Sequence, residues 1–219
     1  MTGQAQALVI LLTWGVLLLL YGFNKFLIKD KLLTQITTIA RPTLHEPTKP
    51  PGSLFSKVGL LFVFVVNIFT IILLFVEALS PQKSHLMELV KLSLPLWANI
   101  IGCGLFVLGT IWGFFAMIFN PNYTPLYKLP PQEFILATQG PYKITRHPRY
   151  AAEALLNISL FLMTGFWLPL LGVLGWVAMF HQAKAEERYL MALAPTEYGE
   201  YRKSTNMFLP ITFGKHHYG

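Results

Sequence analysis

Three long apolar runs before residue 120 limit what this chain can fold into. They cover about Ala7 to Ile28, Val58 to Leu79 and Leu92 to Phe119. Each approaches or exceeds the roughly 20 residues a helix needs to cross a hydrocarbon core about 30 Å thick. Inside lipid every backbone polar group must be paired within its own segment, which selects helices for runs of this kind. Mean hydropathy is +0.51, with 54% hydrophobic and 12% charged residues. A soluble domain rarely has that balance. The expected fold class is an all-α integral membrane bundle. The first run lacks the basic start of a signal peptide and reads as a retained helix.

A fourth apolar stretch, about Ala151 to Phe180, is harder to place. As one straight helix it would be about 45 Å long, too long for a bilayer without a strong tilt. Thr164-Gly165-Phe166-Trp167-Leu168-Pro169 supplies a break in its middle, so two helices forming a hairpin are expected. The basic residues test this count. Segments 25–57 (Lys25, Lys29, Lys31, Arg41, Lys49, Lys57), 120–150 (Lys128, Lys143, Arg146, Arg149) and the tail (Lys184, Arg188, Arg202, Lys203, Lys215) should be cytosolic. The stretch before Ala7 and segment 80–91 should be outside. About five crossings satisfy every step, with the N-terminus outside and the C-terminus inside. A single long last helix would leave the basic tail outside.

The rest of the chain reads as connectors. Residues 29–52 carry Pro-Gly turn signals, and residues 120–147 are proline-rich, with one helical turn expected near Gln132 to Thr138. Gln182 to Arg202 reads as a charged amphipathic helix or helix pair, broken near Pro195. The organisation expected is residues 1–125 as three membrane helices and residues 126–219 as a functional region with the hairpin and a cytosolic tail. The net charge of +7 is accounted for by anionic lipid headgroups and topology, with no nucleic-acid partner. Cys103 is the single cysteine, so no disulfide forms within the chain. It reads as a small packing residue, and no metal-ligand spacing is present. The terminal His216-His217 pair carries no assigned role, and the oligomeric state is open.

Polar chemistry concentrates in Gly140-Pro141-Tyr142-Lys143-Ile144-Thr145-Arg146-His147-Pro148-Arg149-Tyr150, between two apolar regions. Pro148 suits the first turn of a helix, whose N-terminus carries unpaired N–H groups and partial positive charge. Tyr150, Glu153 and Asn157 then share one helical face. A carboxylate in an apolar run is costly unless it is paired or faces a cavity. Glu153 is therefore a functional candidate, with pairing to Arg149 one turn back as the structural alternative. At the far end of the hairpin stand His181, Lys184, Glu186, Glu187 and Arg188. Lys184 and Arg188 read as a solvated interfacial face. Glu186 and Glu187 are expected near the His147 region, because the topology brings both ends of the hairpin to one membrane surface, and read either as ligand-binding residues or as part of the same solvated face. Asn67 and Asn99 read as interhelical hydrogen-bonding residues.

These residues carry a resemblance. Gly140-Pro141-Tyr142, then Arg146-His147-Pro148-Arg149-Tyr150, an apolar hairpin, Glu186-Glu187-Arg188-Tyr189-Leu190, Glu197-Tyr198 and Tyr201, ending in Phe208-Leu209-Pro210, resemble the isoprenylcysteine carboxyl methyltransferase family. That family belongs to a wider group of membrane methyltransferases that includes phospholipid and thiol methyltransferases. The resemblance implies S-adenosylmethionine bound at the cytosolic face and a lipophilic or lipidated acceptor arriving from the bilayer. By position it assigns cofactor contacts to Leu136, Ala137, Gly140, Tyr142, His147, Tyr150, Glu186 and Glu187. The chain departs from the pattern at Phe134, Ala152 and Gln182, where the family often has His, Gly and a substrate-binding Arg.

The residue types suit that chemistry. Glu187 can pair with the cofactor's ammonium, and Arg146 or the helix N-terminus with its carboxylate. Tyr142 or Tyr150 can face the sulfonium. Arg146 and Glu153 are the catalytic candidates, Glu153 as a base for an amine or thiol acceptor, whereas a carboxylate acceptor needs none. Two other readings compete: an NADPH-dependent membrane reductase related to sterol reductases, whose last part carries a similar pattern, and a non-enzymatic membrane protein.

Overall fold

A computed structural model describes residues 1–27, 53–80, 85–120 and 136–208. The expected loop within 29–52, Phe134 and the His216-His217 pair lie outside these residues. The described chain is helical, with only two isolated bridges between extended residues. Its elements are α1 (Gly3–Leu27), α2 (Leu54–Leu79), α3 (His85–Val90), α4 (Leu96–Ile118), α5 (Pro148–Thr164), α6 (Gly172–Leu193) and α7 (Pro195–Ser204). Short 3-10 turns at Gly140–Lys143 and Leu168–Leu171 precede α5 and α6. Among the described residues, three helical stretches are long and apolar enough to cross a membrane: Gly3–Gly22, Leu54–Leu79 and Leu96–Ile118. Leu11, Leu18, Phe64, Ile72, Ile100, Leu108 and Leu174 stay exposed. In water that apolar belt would be a liability; facing acyl chains it costs nothing. The protein is an all-α membrane bundle.

The hairpin forms as expected. α5 ends at Gly165, whose φ of 78° lies in the left-handed region. A side chain there would also meet the Leu92 carbonyl oxygen at 2.3 Å. That close approach is functional in the fold: the Leu92 N–H donates to the Gly165 carbonyl at 2.8 Å, and the Trp167 N–H to the Val90 carbonyl at 3.1 Å. The hairpin tip is thereby tied to the segment before α4. The same tie explains why α4 starts at Leu96, not Leu92: residues 91–92 are extended against the tip, and Pro95 caps the helix.

Two further boundaries differ from expectation. Residues 136–138 are not helical, and the turn lies instead at Gly140–Lys143, where Pro141 occupies a first-turn position; residues 132–135 lie outside the described set. The charged stretch after Gln182 is not a separate helix. α6 runs unbroken to Leu193, and the chain bends only at Ala194, before Pro195. Nothing in 182–193 interrupts the i to i−4 ladder, so the hairpin's second arm carries its own charged extension.

α4 packs along α5, and α2 along α6. Both contacts use small residues. A Cβ on Gly102 would lie 2.2 Å from the Met163 nitrogen, and one on Gly175 only 2.8 Å from the Gly59 carbonyl oxygen. Close backbone approach, rather than a hydrophobic drive, holds helices together in lipid. Ile10, Ile71, Leu74, Phe106, Leu160, Met163 and Phe166 form the main core, joining α1, α2, α4 and α5. Buried amides lock it. Asn157 Nδ2 donates to Asn67, and Trp176 Nε1 donates to Asn157 Oδ1 at 2.9 Å, linking α2, α5 and α6. Asn99 Nδ2 donates to the Leu162 carbonyl at 3.0 Å. Asn67 and Asn99 are interhelical residues, as the sequence indicated.

Candidate functional site

Because α5 and α6 are antiparallel, the start of one and the charged end of the other lie side by side. His147 is the N-cap of α5 and is buried, as is Glu187 on α6. His147 Nδ1 stands 3.6 Å from Glu186 Oε2, and its Nε2 stands 3.4 Å from Glu187 Oε1. Tyr150, one turn into α5, stacks on the His147 ring at 5.7 Å and donates its hydroxyl to Glu186 Oε1 at 2.7 Å. Gln182 Nε2 donates to the same oxygen at 3.1 Å. Arg146 Nε donates to Glu187 Oε1 at 2.8 Å, with both side chains about nine-tenths buried.

The tail closes this cluster from the other side. Thr145 and Asn206 form an isolated parallel bridge. The Arg146 N–H donates to the Asn206 carbonyl at 2.8 Å and the His147 N–H to the Met207 carbonyl at 3.0 Å. Arg146 also donates to the Thr205 carbonyl. Phe208 is thereby set against His147, at 5.8 Å between ring centres, and against Phe180 of α6, at 6.2 Å.

Charge is concentrated here. Burial alone would raise the pKa of Glu187, but the nearby His147 ring and the Arg146 guanidinium outweigh it and hold the group at about 2. Glu186 moves the same way: burial opposes its charge, and His147, Tyr150 and Gln182 overcome that. His147 is raised above its ordinary value, because the two carboxylates outweigh burial. The site is an imidazole caged between two carboxylates, which favour its protonated form.

The remaining candidates divide. Tyr142 is buried and accepts a hydrogen bond from Asn120 Nδ2 at 3.1 Å; burial pushes its pKa up to about 12. Its carbonyl accepts from the Tyr201 hydroxyl at 2.6 Å, which ties α7 to the turn. Leu136 is buried against Ala194 and Tyr198, and Ala137 against Ala116 and Tyr142. Gly140 has φ 59°, and a side chain on it would enter the Phe119 ring at 2.6 Å. These four pack around the turn before α5 and the start of α7, and none of them lines the cavity described below. Glu153 is separate, partly buried on α5, and makes no hydrogen bond or ion pair among the described residues. Sequence reasoning assigned no role to Thr145, Gln182 or Phe208; the parts of Thr145 and Phe208 depend on chain segments far apart in sequence, whereas Gln182 meets Glu186 one turn along α6, a spacing the sequence does show.

A cavity of about 390 Å³ opens beside the cluster, lined by Arg146, Lys184, Glu187, Arg188, Met191, Arg202 and Met207. Glu187 thus faces both the cavity and His147, which sits behind it. Among the described residues no group of acidic, His or Cys side chains could hold a metal.

Residues 97–194 match the phospholipid methyltransferase family. This segment is related to membrane methyltransferases. The match begins in α4 and takes in the His147 and Glu186-Glu187 cluster. It bears out the resemblance to the wider group and does not single out the isoprenylcysteine carboxyl methyltransferases within it. A search of curated proteins gives no match.

Proposed function

We propose that the protein is an S-adenosylmethionine-dependent methyltransferase of a membrane, acting on a lipophilic acceptor. The observation that carries this is the Arg146–His147–Tyr150–Glu186–Glu187 cluster beside a cavity, inside the segment related to methyltransferases. The residues suit the cofactor. Its amino-acid end is a zwitterion, and the cavity offers one carboxylate, Glu187, among guanidinium and ammonium groups. Two buried polar atoms at the cluster, His147 Nε2 and Gln182 Oε1, make no hydrogen bond among the described residues. A cavity near 390 Å³ is within the range of small-molecule sites.

When bound, the cofactor supplies an electrophilic methyl group on a sulfonium. In this reading Glu187 takes the ammonium and Arg146 the carboxylate. Leu136, Ala137, Gly140 and Tyr142 hold the turn before α5, and His147 with Glu186 fixes Tyr150 toward the positive sulfur. Their work is positioning and exclusion of water. Glu153, one turn beyond Tyr150, takes the proton of a thiol or amine acceptor; a carboxylate acceptor would leave it without that task. The acceptor classes that fit are an isoprenylcysteine-like carboxylate, a lipid amine or a thiol. Five crossings, with the site on the cytosolic face, complete the proposal.

The test is binding of S-adenosylmethionine to purified full-length protein by calorimetry. His147→Ala and Glu187→Ala should each weaken it more than about tenfold, the cost of one charge-assisted contact. Unchanged affinity in both variants would sink the reading. Stabilisation by NADPH and not by S-adenosylmethionine in a thermal-shift assay would favour the reductase instead.

A further inference from the structure

The chain after α7 doubles back over the cluster. α7 ends at Ser204, and Thr205 is extended, with φ −127° and ψ 136°. Residues 205–208 then run as a strap along residues 145–147. The Arg146 N–H donates to the Asn206 carbonyl at 2.8 Å, and the His147 N–H to the Met207 carbonyl at 3.0 Å. Thr145 Oγ1 donates to the same Met207 carbonyl at 3.0 Å. The Arg146 guanidinium holds the Thr205 and Arg202 carbonyls. Asn206, Met207 and Phe208 are only half-buried, and none joins a buried apolar cluster among the described residues. An element fastened by a few hydrogen bonds, with no apolar core of its own, opens at less cost than the helices beneath it.

Two consecutive strap residues stand at the two parts of the site. Met207 lines the cavity, together with Arg202 of α7. Phe208 lies against the His147 ring, at 5.8 Å between ring centres. Arg146 and Glu187 line the cavity, whereas His147, Tyr150 and Glu186 do not. His147 Nε2 is buried without a hydrogen bond among the described residues. Lifting the strap about Ser204 uncovers the imidazole and widens the cavity in one movement. A molecule in the cavity touches Met207 only while the strap is down. That difference between the two states is what lets a ligand hold the strap closed. Arg146 links the two events, since one guanidinium binds Glu187 at the cavity and the strap's carbonyl.

We propose that residues 205–208 are a lid, which swings off residues 145–147 to admit a small zwitterionic molecule and closes over it. The lid deepens the methyltransferase reading and rests on it for the identity of the trapped molecule, S-adenosylmethionine. The opening itself belongs to the protein without ligand.

Hydrogen exchange of full-length protein in detergent reports the lid directly, because the Arg146 and His147 amides lose their acceptors whenever it lifts. Without ligand they should exchange about a hundredfold faster than the amides of residues 156–160 inside α5. Equal protection of the two sets would overturn the lid. S-adenosylhomocysteine at about a hundred times its Kd should slow them about a hundredfold, as for a ligand that binds only the closed state. No slowing in protein that calorimetry shows to be saturated would overturn it too. A lock gives the second test. Thr145 and Asn206 are paired in a parallel bridge. Residues so paired lie about 5 Å apart, within disulfide reach. Thr145→Cys/Asn206→Cys, made together with Cys103→Ala, should release S-adenosylhomocysteine at least about tenfold more slowly when oxidised, and reduction should restore the rate. The reduced form is the control for folding. Equal release from the oxidised and reduced forms would mean that the strap does not gate the cavity. Wild type that binds no S-adenosylhomocysteine, yet exchanges at Arg146 and His147 as stated, counts against the methyltransferase reading and leaves the lid in place.

Discussion

Arg146 Nε donates to Glu187 Oε1 at 2.8 Å, joining two residues that are 41 positions apart. The pair is buried, and Arg146 also holds the Thr205 carbonyl of the tail. One side chain thus connects the start of α5, the end of α6 and the strap after α7. Arg146→Ala leaves Glu187 buried with less compensation. We expect a loss of about 3 kcal/mol, as for one partner of a buried pair. Arg146→Lys, which lacks the planar fork, should recover only part of it. Thermal unfolding of the two variants in detergent checks both values.

The cluster predicts a two-sided pH dependence of stability. His147 is raised in the folded protein from 6.5. Its contribution is complete below that value and is lost as pH rises through the higher folded-state pKa. Glu187 is lowered from 4.5 to about 2. Its contribution is complete above 4.5 and is lost as pH falls toward 2. The melting temperature should therefore be greatest between those two ordinary values. His147→Gln should abolish the alkaline limb and shrink the acidic one, which Arg146 then sustains; an alkaline limb that survives would place its origin elsewhere.

Asn157 is a hub rather than a site residue, bonded to Asn67 and Trp176 on neighbouring helices. Interhelical hydrogen bonds in lipid contribute about 0.6 to 2 kcal/mol each. Asn157→Leu should destabilise by about 2 kcal/mol, with two neighbours left unpaired. Cofactor affinity should hold in that variant, which a calorimetric titration can show.

Glycines on α1 and α6 should respond in opposite ways. A Cβ on Gly175 meets Val63 at 2.3 Å and the Gly59 carbonyl oxygen at 2.8 Å, whereas one on Gly15 meets nothing within 4 Å. Gly175→Ala must push α2 and α6 apart, at about 1–3 kcal/mol. Gly15→Ala should be neutral or gain about 1 kcal/mol from helix propensity. Unfolding of the pair in the same detergent gives the comparison.

Phe208 is packed between Phe180 and His147. Phe208→Ala should uncover the His147 ring, relieve the burial that opposes its charge, and so raise its pKa further. An upward shift of the His147 titration midpoint by NMR is the expected result, and an unshifted titration would mean the strap does not seal the cluster.

The sequence alone determined the membrane class, the helical runs, the hairpin and the paired roles of Asn67 and Asn99. Those follow from hydropathy, from Gly and Pro signals and from the cost of an unpaired amide in lipid, all of which are local. The antiparallel hairpin also made the meeting of His147 with Glu186 and Glu187 legible, because a topology of two arms leaves their open ends adjacent. Only the tertiary structure decided the rest. Arg146 is held by Glu187 and by a strap ending at Phe208, Glu153 stands apart from the cluster although it shares a helix with Tyr150, and α6 runs on without a break into its charged extension. These depend on which side of a helix meets a segment tens of residues away. Helical periodicity states which residues share a face; packing between backbones, set here by Gly59, Gly102 and Gly175, states what that face meets.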